Sequence, residues 1–449
     1  MTTEAGIKPF REITDDGELR LNLHTGQTRA WVCEKLIICL LCGSGYGKTC
    51  FGSEWIKNEM EERGEGDYLA VTANFTMLEL KMLPELKMVF ETLHKWGTWK
   101  AGQRIFESHE RLHGAPHQRL IVRSASSPEA LESATVKGSW VDEAGQHQFT
   151  RQAWEAIQRR GNMYRARVLL TSTPYEFNWL KSDIYDRWRQ GDPNIEVIQG
   201  DSIENPAFPL EAYERARATL PRWKFNMFMR GQFEKPAGLI YDSFDETVCS
   251  IPRFILPANW PRYVGHDFGP QNTAAVWYAQ DPGTGYLYVY RTYHEGGLSA
   301  YDHAQKFKSL SEGENILKRV GGAQTEDGWR ESFTAAGWPI SKPREREVEI
   351  GINIVYGWHQ QNKLFVFNDM HEYLDEKLNY SRVLDESYQP TERIEAKSRY
   401  HILDCERYVL CDFGPERAPG SQIAKVVYHG GDNSAREISI FPKYVKRTR

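Results

Sequence analysis

Four groups of side chains have the types and spacing for work on phosphates. The first is Cys42-Gly43-Ser44-Gly45-Tyr46-Gly47-Lys48-Thr49. Its glycines let backbone N–H groups curl around phosphate oxygens, and a helix starting at its end adds the partial positive charge of its N-terminus. In such a loop Lys48 reaches the β- and γ-phosphates of ATP, and Thr49 holds Mg²⁺. One position departs from the usual pattern: Cys42 stands where a glycine is expected. The second group is Asp142-Glu143. Asp142 suits the water shell of Mg²⁺, and Glu143 suits orienting or deprotonating the attacking water. The third is the hydroxyl run Thr171-Ser172-Thr173, which can lie beside a γ-phosphate and report its loss. The fourth is a set of acids in the second half of the chain, led by Asp267 and Asp404. Hydrolysis of a phosphodiester by two metal ions needs several carboxylates around ions about 3.5–4 Å apart, because the attacking and leaving oxygens both need charge compensation.

These groups need elements to hold them. The apolar run Leu36 to Leu41 predicts a buried strand before the phosphate loop, and the pattern from Cys50 to about Arg63 predicts a helix after it. Tyr68 to Ala73 and Leu120 to Val122 read as further strands. Met77 to about Trp96 reads as a helix with Leu78, Met82, Leu86 and Phe90 on one face. The strand before Asp142 is weakly marked, because Lys137, Gly138 and Ser139 interrupt it. Arg167 to Pro174 is a strand ending in the hydroxyl run. Strands alternating with helices around a phosphate loop imply a mainly parallel sheet with ligand at the carboxyl ends of the strands. Upstream, Gln27 carries an amide that can read an adenine edge.

In the second half, Tyr263 to Asp267, Thr273 to Ala279 and Tyr286 to Tyr293 predict three consecutive antiparallel strands, the last two joined by the turn Asp281-Pro282-Gly283-Thr284-Gly285. An acid ending the first of three such strands is how an RNase H-like sheet begins. Asp404 lies in a helical pattern with Ile402, Cys405 and Val409 on the packed side. A middle acid is harder to place. Glu326 is preferred over Asp327, because a longer side chain from the first turn of a helix reaches further. Glu295 and Asp369 are also candidates. The plain alternative makes Thr325 the N-cap of that helix, with acids in its first turn favoured by the helix dipole.

The chain has 449 residues, enough for two or more cores, and 40% of them are hydrophobic. A net charge of −5 excludes a global basic footprint, so any nucleic-acid surface must be local. Lys443, Lys446, Arg447 and Arg449 in the tail are the clearest local cluster. Seven cysteines, an odd number with no CxxC pair, argue against a disulfide framework or a zinc site and for a reducing compartment. No apolar run approaches the ~20 residues of a membrane span.

Cys42–Thr49, Val141–Ala144 and Leu170–Pro174, in this order and spacing, are followed by Arg230-Gly231-Gln232-Phe233 and Gly238-Leu239-Ile240-Tyr241. The set resembles the large terminase subunit of tailed bacteriophages, over about Gln27 to Cys411. The resemblance implies two α/β domains: a P-loop packaging ATPase over residues 1–235 and an RNase H-like endonuclease over 255–449, joined by a linker at 236–254. It implies ATP with Mg²⁺ at Gly43, Ser44, Gly45, Tyr46, Gly47, Lys48, Thr49, Asp142 and Gln27, with Glu143 as the catalytic carboxylate. His401-Ile402-Leu403-Asp404-Cys405-Glu406-Arg407-Tyr408 is similar to a His-x-x-Asp-x-x-Arg-Tyr run of the family, whose Asp is a metal ligand. Two Mg²⁺ or Mn²⁺ ions are then expected on Asp267, Glu326 and Asp404. The partners implied are double-stranded DNA, a portal protein, a small terminase subunit and further copies of the chain in a ring on the procapsid, in the cytoplasm of the infected bacterial host and away from membranes. Two departures stand out. The family usually has an Asp at the end of the fourth strand, where this chain reads Gly321-Gly322-Ala323-Gln324. Members often carry Arg-Gly about ten residues before the paired acids, where this chain has Glu132-Ser133; Arg123, Arg159 and Arg160 are the substitutes considered. Two other classes fit the same residues: an ATP-dependent helicase or repair nuclease, and an ATPase whose second half only docks or binds DNA.

Overall fold

The computed structural model describes residues 8–127, 131, 134–235, 237–345, 347–386 and 388–413, with two short strands at Val427–His429 and Ala435–Glu437. Glu132-Ser133 and the basic tail cluster lie outside the described residues. Two sheets organise the chain. The first has eight strands. Across the sheet the first six run Ile195–Gly200, Ile37–Cys42, Arg167–Ser172, Gly138–Asp142, Gly66–Thr72 and Gln118–Ser124, all parallel. Ile105–Ser108 and Gly97–Lys100 extend it antiparallel at one edge. Ile37–Cys42 is apolar at every position and buried along its length, as a central parallel strand covered on both faces must be. Its carboxyl end feeds the phosphate loop, and the helix Lys48–Arg63 returns across the sheet.

That helix lies close on the strand Gly138–Asp142. A Cβ on Gly52 would stand 2.1 Å from the Trp140 ring, so only glycine lets the indole lie flat there. The strand that its sequence marks weakly is thus held by tertiary packing, with Gly138 and Ser139 buried inside it. The long helix expected from Met77 to Trp96 is uneven. Between Phe75 and Leu93 its turns widen at Leu78–Met82 and Met88–Leu93, on either side of Leu83–Lys87. Pro84 has no N–H for the ladder and its ring crowds the preceding turn, so the widened turn before it, where Leu83 N–H bonds Leu78 O, has a local cause. The strands Ile195–Gly200 and Gly97–Lys100 were not expected from the sequence.

The second sheet has six strands, in the order Ser250–Ile251, Leu364–Phe367, Leu287–Glu295, Thr273–Gln280, Arg262–Asp267 and Ile316–Gly321. Its centre is the expected antiparallel trio, and Ile316–Gly321 pairs parallel with the trio's first strand. These four strands follow the order of an RNase H-like sheet, with Leu364–Phe367 added parallel beside the third, and the chain is α/β in both halves. The helix His401–Asp412 packs on this sheet at one point of close approach. A Cβ on Gly265 would stand 2.3 Å from Cys405 O, and that contact brings Asp404 to the end of the strand bearing Asp267. Ile240, Tyr241, Phe244 and Cys249, from the segment joining the two sheets, are buried in the second core. Among the described residues no helix is long and apolar enough to cross a membrane.

Candidate functional site

The phosphate loop turns through two left-handed glycines, Gly45 at φ 76° and Gly47 at φ 91°, conformations that only glycine adopts without strain. Its first amides are already engaged: Gly43 N donates to Gly200 O at 2.9 Å and Ser44 N to Phe228 O at 2.7 Å. Lys48 is buried, and its ammonium donates to Cys42 O at 3.1 Å, Gly43 O at 2.8 Å and Thr173 Oγ1 at 3.1 Å. Burial depresses its pKa, against the pull of Glu143. Thr49 Oγ1 lies 3.1 Å from Asp142 Oδ2. Thr171 Oγ1 donates to Asp142 Oδ1 at 2.6 Å and accepts from Trp140 Nε1 at 3.0 Å. Burial pushes Asp142 up to about 6, and the charge of Glu143 adds to the rise.

Glu143 adopts φ 56°, a left-handed conformation rare for a residue with a Cβ, and this aims its carboxylate off the strand axis. Tyr175 OH donates to Glu143 Oε2 at 2.8 Å. So Lys48, Thr49, Asp142, Glu143 and Thr173 meet at the carboxyl ends of three adjacent parallel strands. Gln27 sits against the loop rather than beyond it: it is buried, its Nε2 donates to Gly47 O at 3.3 Å, and its Oε1 accepts from His24 N at 3.3 Å. Arg123 spends its guanidinium on the carbonyls of Gln103, Arg104 and Val122. Arg159 and Arg160 lie in the last turn of the helix Arg151–Gly161.

On the second sheet, Asp267 Oδ2 accepts from His401 Nδ1 at 2.7 Å. Asp404 Oδ1 accepts from Lys397 Nζ at 2.7 Å and from Arg407 NH2 at 2.9 Å. Burial raises Asp267, and the charge of Asp404 adds to the rise while His401 opposes it. His401 is raised by its bond to Asp267. Glu326 is raised by burial, and both Asp267 and Asp404 press on it, so the three acids share one electrostatic neighbourhood.

Among the described residues no three His, Cys, Asp or Glu side chains meet closely enough to hold a metal ion. Glu326 turns back on its own chain, its Oε2 accepting from Ala323 N at 2.6 Å. It also occupies the N-cap of the helix Asp327–Ala335, the place expected of Thr325. Asp267 and Asp404 offer hard oxygen ligands that fit Mg²⁺ or Mn²⁺: the charge of Asp404 presses on Asp267, and Asp404 already draws the cations Lys397 and Arg407. The other candidates for a middle ligand are committed elsewhere. Asp327 pairs with Lys342 and Arg330, Glu295 with Lys306, and Asp369 with Arg253.

Several functional contacts were not foreseen from the sequence. Tyr175 directly follows Pro174 at the end of the hydroxyl run, yet nothing in its type marked it as a partner of Glu143. Glu376 accepts from the amides of Ile402 and Leu403 at 3.3 and 3.1 Å, which fixes the start of the helix carrying Asp404. Nothing in the sequence pattern marks Lys397 as a partner of Asp404 or Arg399 as a partner of Glu176.

No family model matches the sequence, and no match is found among curated proteins. Solved structures are similar to it. The large terminase of a thermophilic bacteriophage in complex with ADP is 16% identical, over 86% of this chain and 98% of that one, with a TM-score of 0.43. The HK97 bacteriophage large terminase is 14% identical, over 87% of this chain and 94% of that one, with a TM-score of 0.45. The P22 large terminase nuclease domain is 19% identical, over 39% of this chain and 92% of that one, with a TM-score of 0.31. These likenesses are too loose to give any residue a role. Large terminases from several bacteriophages are thus among the solved structures to which the chain is similar.

Proposed function

We propose that this chain is a DNA-packaging motor subunit: an ATPase that drives double-stranded DNA into a procapsid, joined to a metal-dependent endonuclease that cuts concatemeric DNA. The motor takes residues 1–235, the nuclease 255–449, and 236–254 connect them. The observation that carries the proposal is the assembly of Lys48, Thr49, Asp142, Glu143 and Thr173 at one set of strand ends, in the same chain as Asp267 and Asp404, which lie near enough for the charge of Asp404 to raise Asp267.

In the motor, Lys48 and the loop amides beyond Ser44 compensate charge on the transferring phosphoryl group. Thr49 and Asp142 would hold Mg²⁺, which would supply positive charge to offset that building on the phosphates. Glu143, held by Tyr175, orients the attacking water and takes its proton. Thr173 contacts the Lys48 ammonium, so loss of the γ-phosphate is felt at the end of its strand. Gln27 steadies the loop through Gly47 O.

In the nuclease, Asp267, Asp404 and Glu326 supply the carboxylates, with Glu326 turning away from Ala323 N to join the other two. His401 orients Asp267, and Arg407 orients Asp404. Two Mg²⁺ or Mn²⁺ ions, when bound, supply charge compensation for the attacking and leaving oxygens of the phosphodiester. The partners in this reading are double-stranded DNA, portal, small subunit and sister copies in a ring.

The test is ATP hydrolysis by the full chain with and without duplex DNA. Glu143→Gln is expected to lower kcat at least about 10²-fold while nucleotide still binds. Hydrolysis unaffected by Glu143→Gln overturns the assignment. Unwinding of a duplex by the wild-type chain would favour the helicase reading instead.

A further inference from the structure

We infer that the turn Lys397–Arg399 is a latch through which the nucleotide site sets how readily the nuclease site takes its metal; the inference rests on the nuclease reading above. The turn sits between the two sites. At one end Lys397 places its ammonium on the Asp404 carboxylate and contacts both of its oxygens. It thereby occupies the face that a divalent ion must reach. Arg407, the other cation on Asp404, has a side chain only 6% exposed and is fixed by packing, whereas that of Lys397 is 39% exposed and can swing into solvent at little cost.

At the other end of the turn, Arg399 NH2 donates to Glu176 Oε2 at 3.0 Å and to His147 Nδ1 at 2.6 Å. Glu176 belongs to the segment that leaves the motor's hydroxyl run. Along that segment Thr173 contacts Lys48, Tyr175 holds Glu143, Glu176 holds Arg399, and Phe177 exchanges two hydrogen bonds with the Asn379 amide, at 3.1 and 2.6 Å. Tyr400, next to the turn, donates to Asn379 O at 2.9 Å. Five consecutive residues, 173–177, therefore join the γ-phosphate position to the cation seated on Asp404.

Two arrangements follow. With the segment as described, Arg399 anchors the turn and Lys397 competes with metal. When Glu143 and Lys48 are re-engaged by nucleotide and water, Tyr175 and Glu176 shift, the turn loosens, and Asp404 becomes open to metal. Linkage makes the coupling reciprocal: metal at Asp404 must change nucleotide affinity by the same factor. Lys397 is on this account a positioning residue for the nuclease, and its role is read in metal binding rather than in cleavage alone.

The experiment measures Mn²⁺ bound to the full chain by electron paramagnetic resonance, with ADP and with a non-hydrolysable ATP analogue. The nuclease site is defined as the binding lost in Asp404→Asn. Lys397→Ala is expected to tighten that site roughly two- to fivefold, the range a partly exposed ion pair is worth. It should also erase the difference between the two nucleotides. Arg399→Gln is expected to erase that difference while leaving the Lys397 competition in place. Both side chains are partly exposed, and matching thermal unfolding checks that the variants fold. An Asp404-dependent site whose affinity ignores Lys397→Ala, or is the same with both nucleotides in the wild type, overturns the latch and leaves the nuclease reading standing. Failure of Asp404→Asn to remove any bound Mn²⁺ overturns the nuclease reading itself, and the latch with it.

Discussion

Lys377→Met is expected to destabilise the second half of the chain strongly at neutral pH and far less in mild acid. Lys377 and Glu406 are both wholly buried, and the Lys377 ammonium donates to Glu406 and lies 3.0 Å from His359 Nε2. It also stands 3.9 Å over the Tyr241 ring. Burial opposes the charge on Glu406, but Lys377 and His359 more than offset it and hold the carboxyl at about 2. In the wild type this depressed value contributes stability that is present above the unfolded carboxyl's range and lost as pH falls toward 2. Methionine keeps the stem and removes the charge. Glu406 is then left buried without its cation, which costs about 3–5 kcal/mol. Its cheapest escape is to take a proton. From an unfolded value of about 4.3 that costs about 3.7 kcal/mol at pH 7 and about 1 kcal/mol at pH 5. Denaturant unfolding of the variant followed by tryptophan fluorescence should therefore show a loss near 4 kcal/mol at pH 7 that shrinks by roughly 2–3 kcal/mol at pH 5. Adding Glu406→Gln to Lys377→Met should recover most of the loss at pH 7. A loss below about 1 kcal/mol at pH 7, or one equal at both pH values, would refute the reasoning.

Other expectations follow from single contacts. Thr171→Val strands Trp140 Nε1 and Asp142 Oδ1 in a buried site; stability should fall by about 2–4 kcal/mol in calorimetry, and ATP turnover should fall with it, because Asp142 loses its orientation. Gly45→Ala puts a Cβ 2.5 Å from the Phe208 ring at φ 76°, so ATP affinity measured by calorimetry should drop at least about tenfold, whereas Gly102→Ala, with open space around it, should change nothing. Glu376→Ala removes the acceptor for the amides of Ile402 and Leu403; hydrogen exchange at the start of the helix His401–Asp412 should speed up.

The sequence carries the fold where a local pattern has a single physical cause. Ile37–Cys42 is apolar throughout because both faces of a central parallel strand are covered, and Arg262–Asp267 with the next two strands alternates into turns of recognisable chemistry. Where tertiary packing overrides local preference, the pattern weakens. Gly138–Asp142 is a strand because Trp140 lies against Gly52 across the layer, a contact over eighty residues apart that no local window contains. The uneven turns around Pro84 show the reverse case, a local cause masked by strong amphipathic spacing. In the candidate sites Asp142 and Asp267 stand out in sequence because each ends an apolar strand pattern. The partners of the site acids do not. Tyr175, Lys397 and Arg399 are ordinary surface types in sequence, and only folding puts them on Glu143, Asp404 and Glu176; His401 belongs to a marked run, but its bond to Asp267 is set by the fold. The middle acid was open in sequence for a similar reason. Glu326 feels Asp267 and Asp404 electrostatically but bonds its own backbone, so its part depends on a turn of the side chain.

The most direct test of the central claim, that one chain holds a motor and a separate metal nuclease, is cleavage of plasmid DNA by the full chain in Mn²⁺, run beside Asp404→Ala and with ATP hydrolysis measured in the same preparations. The account predicts cleavage by the wild type, its loss in Asp404→Ala, and ATP hydrolysis retained by both. Cleavage that survives Asp404→Ala, or no cleavage by a wild type that hydrolyses ATP and binds DNA, would contradict it.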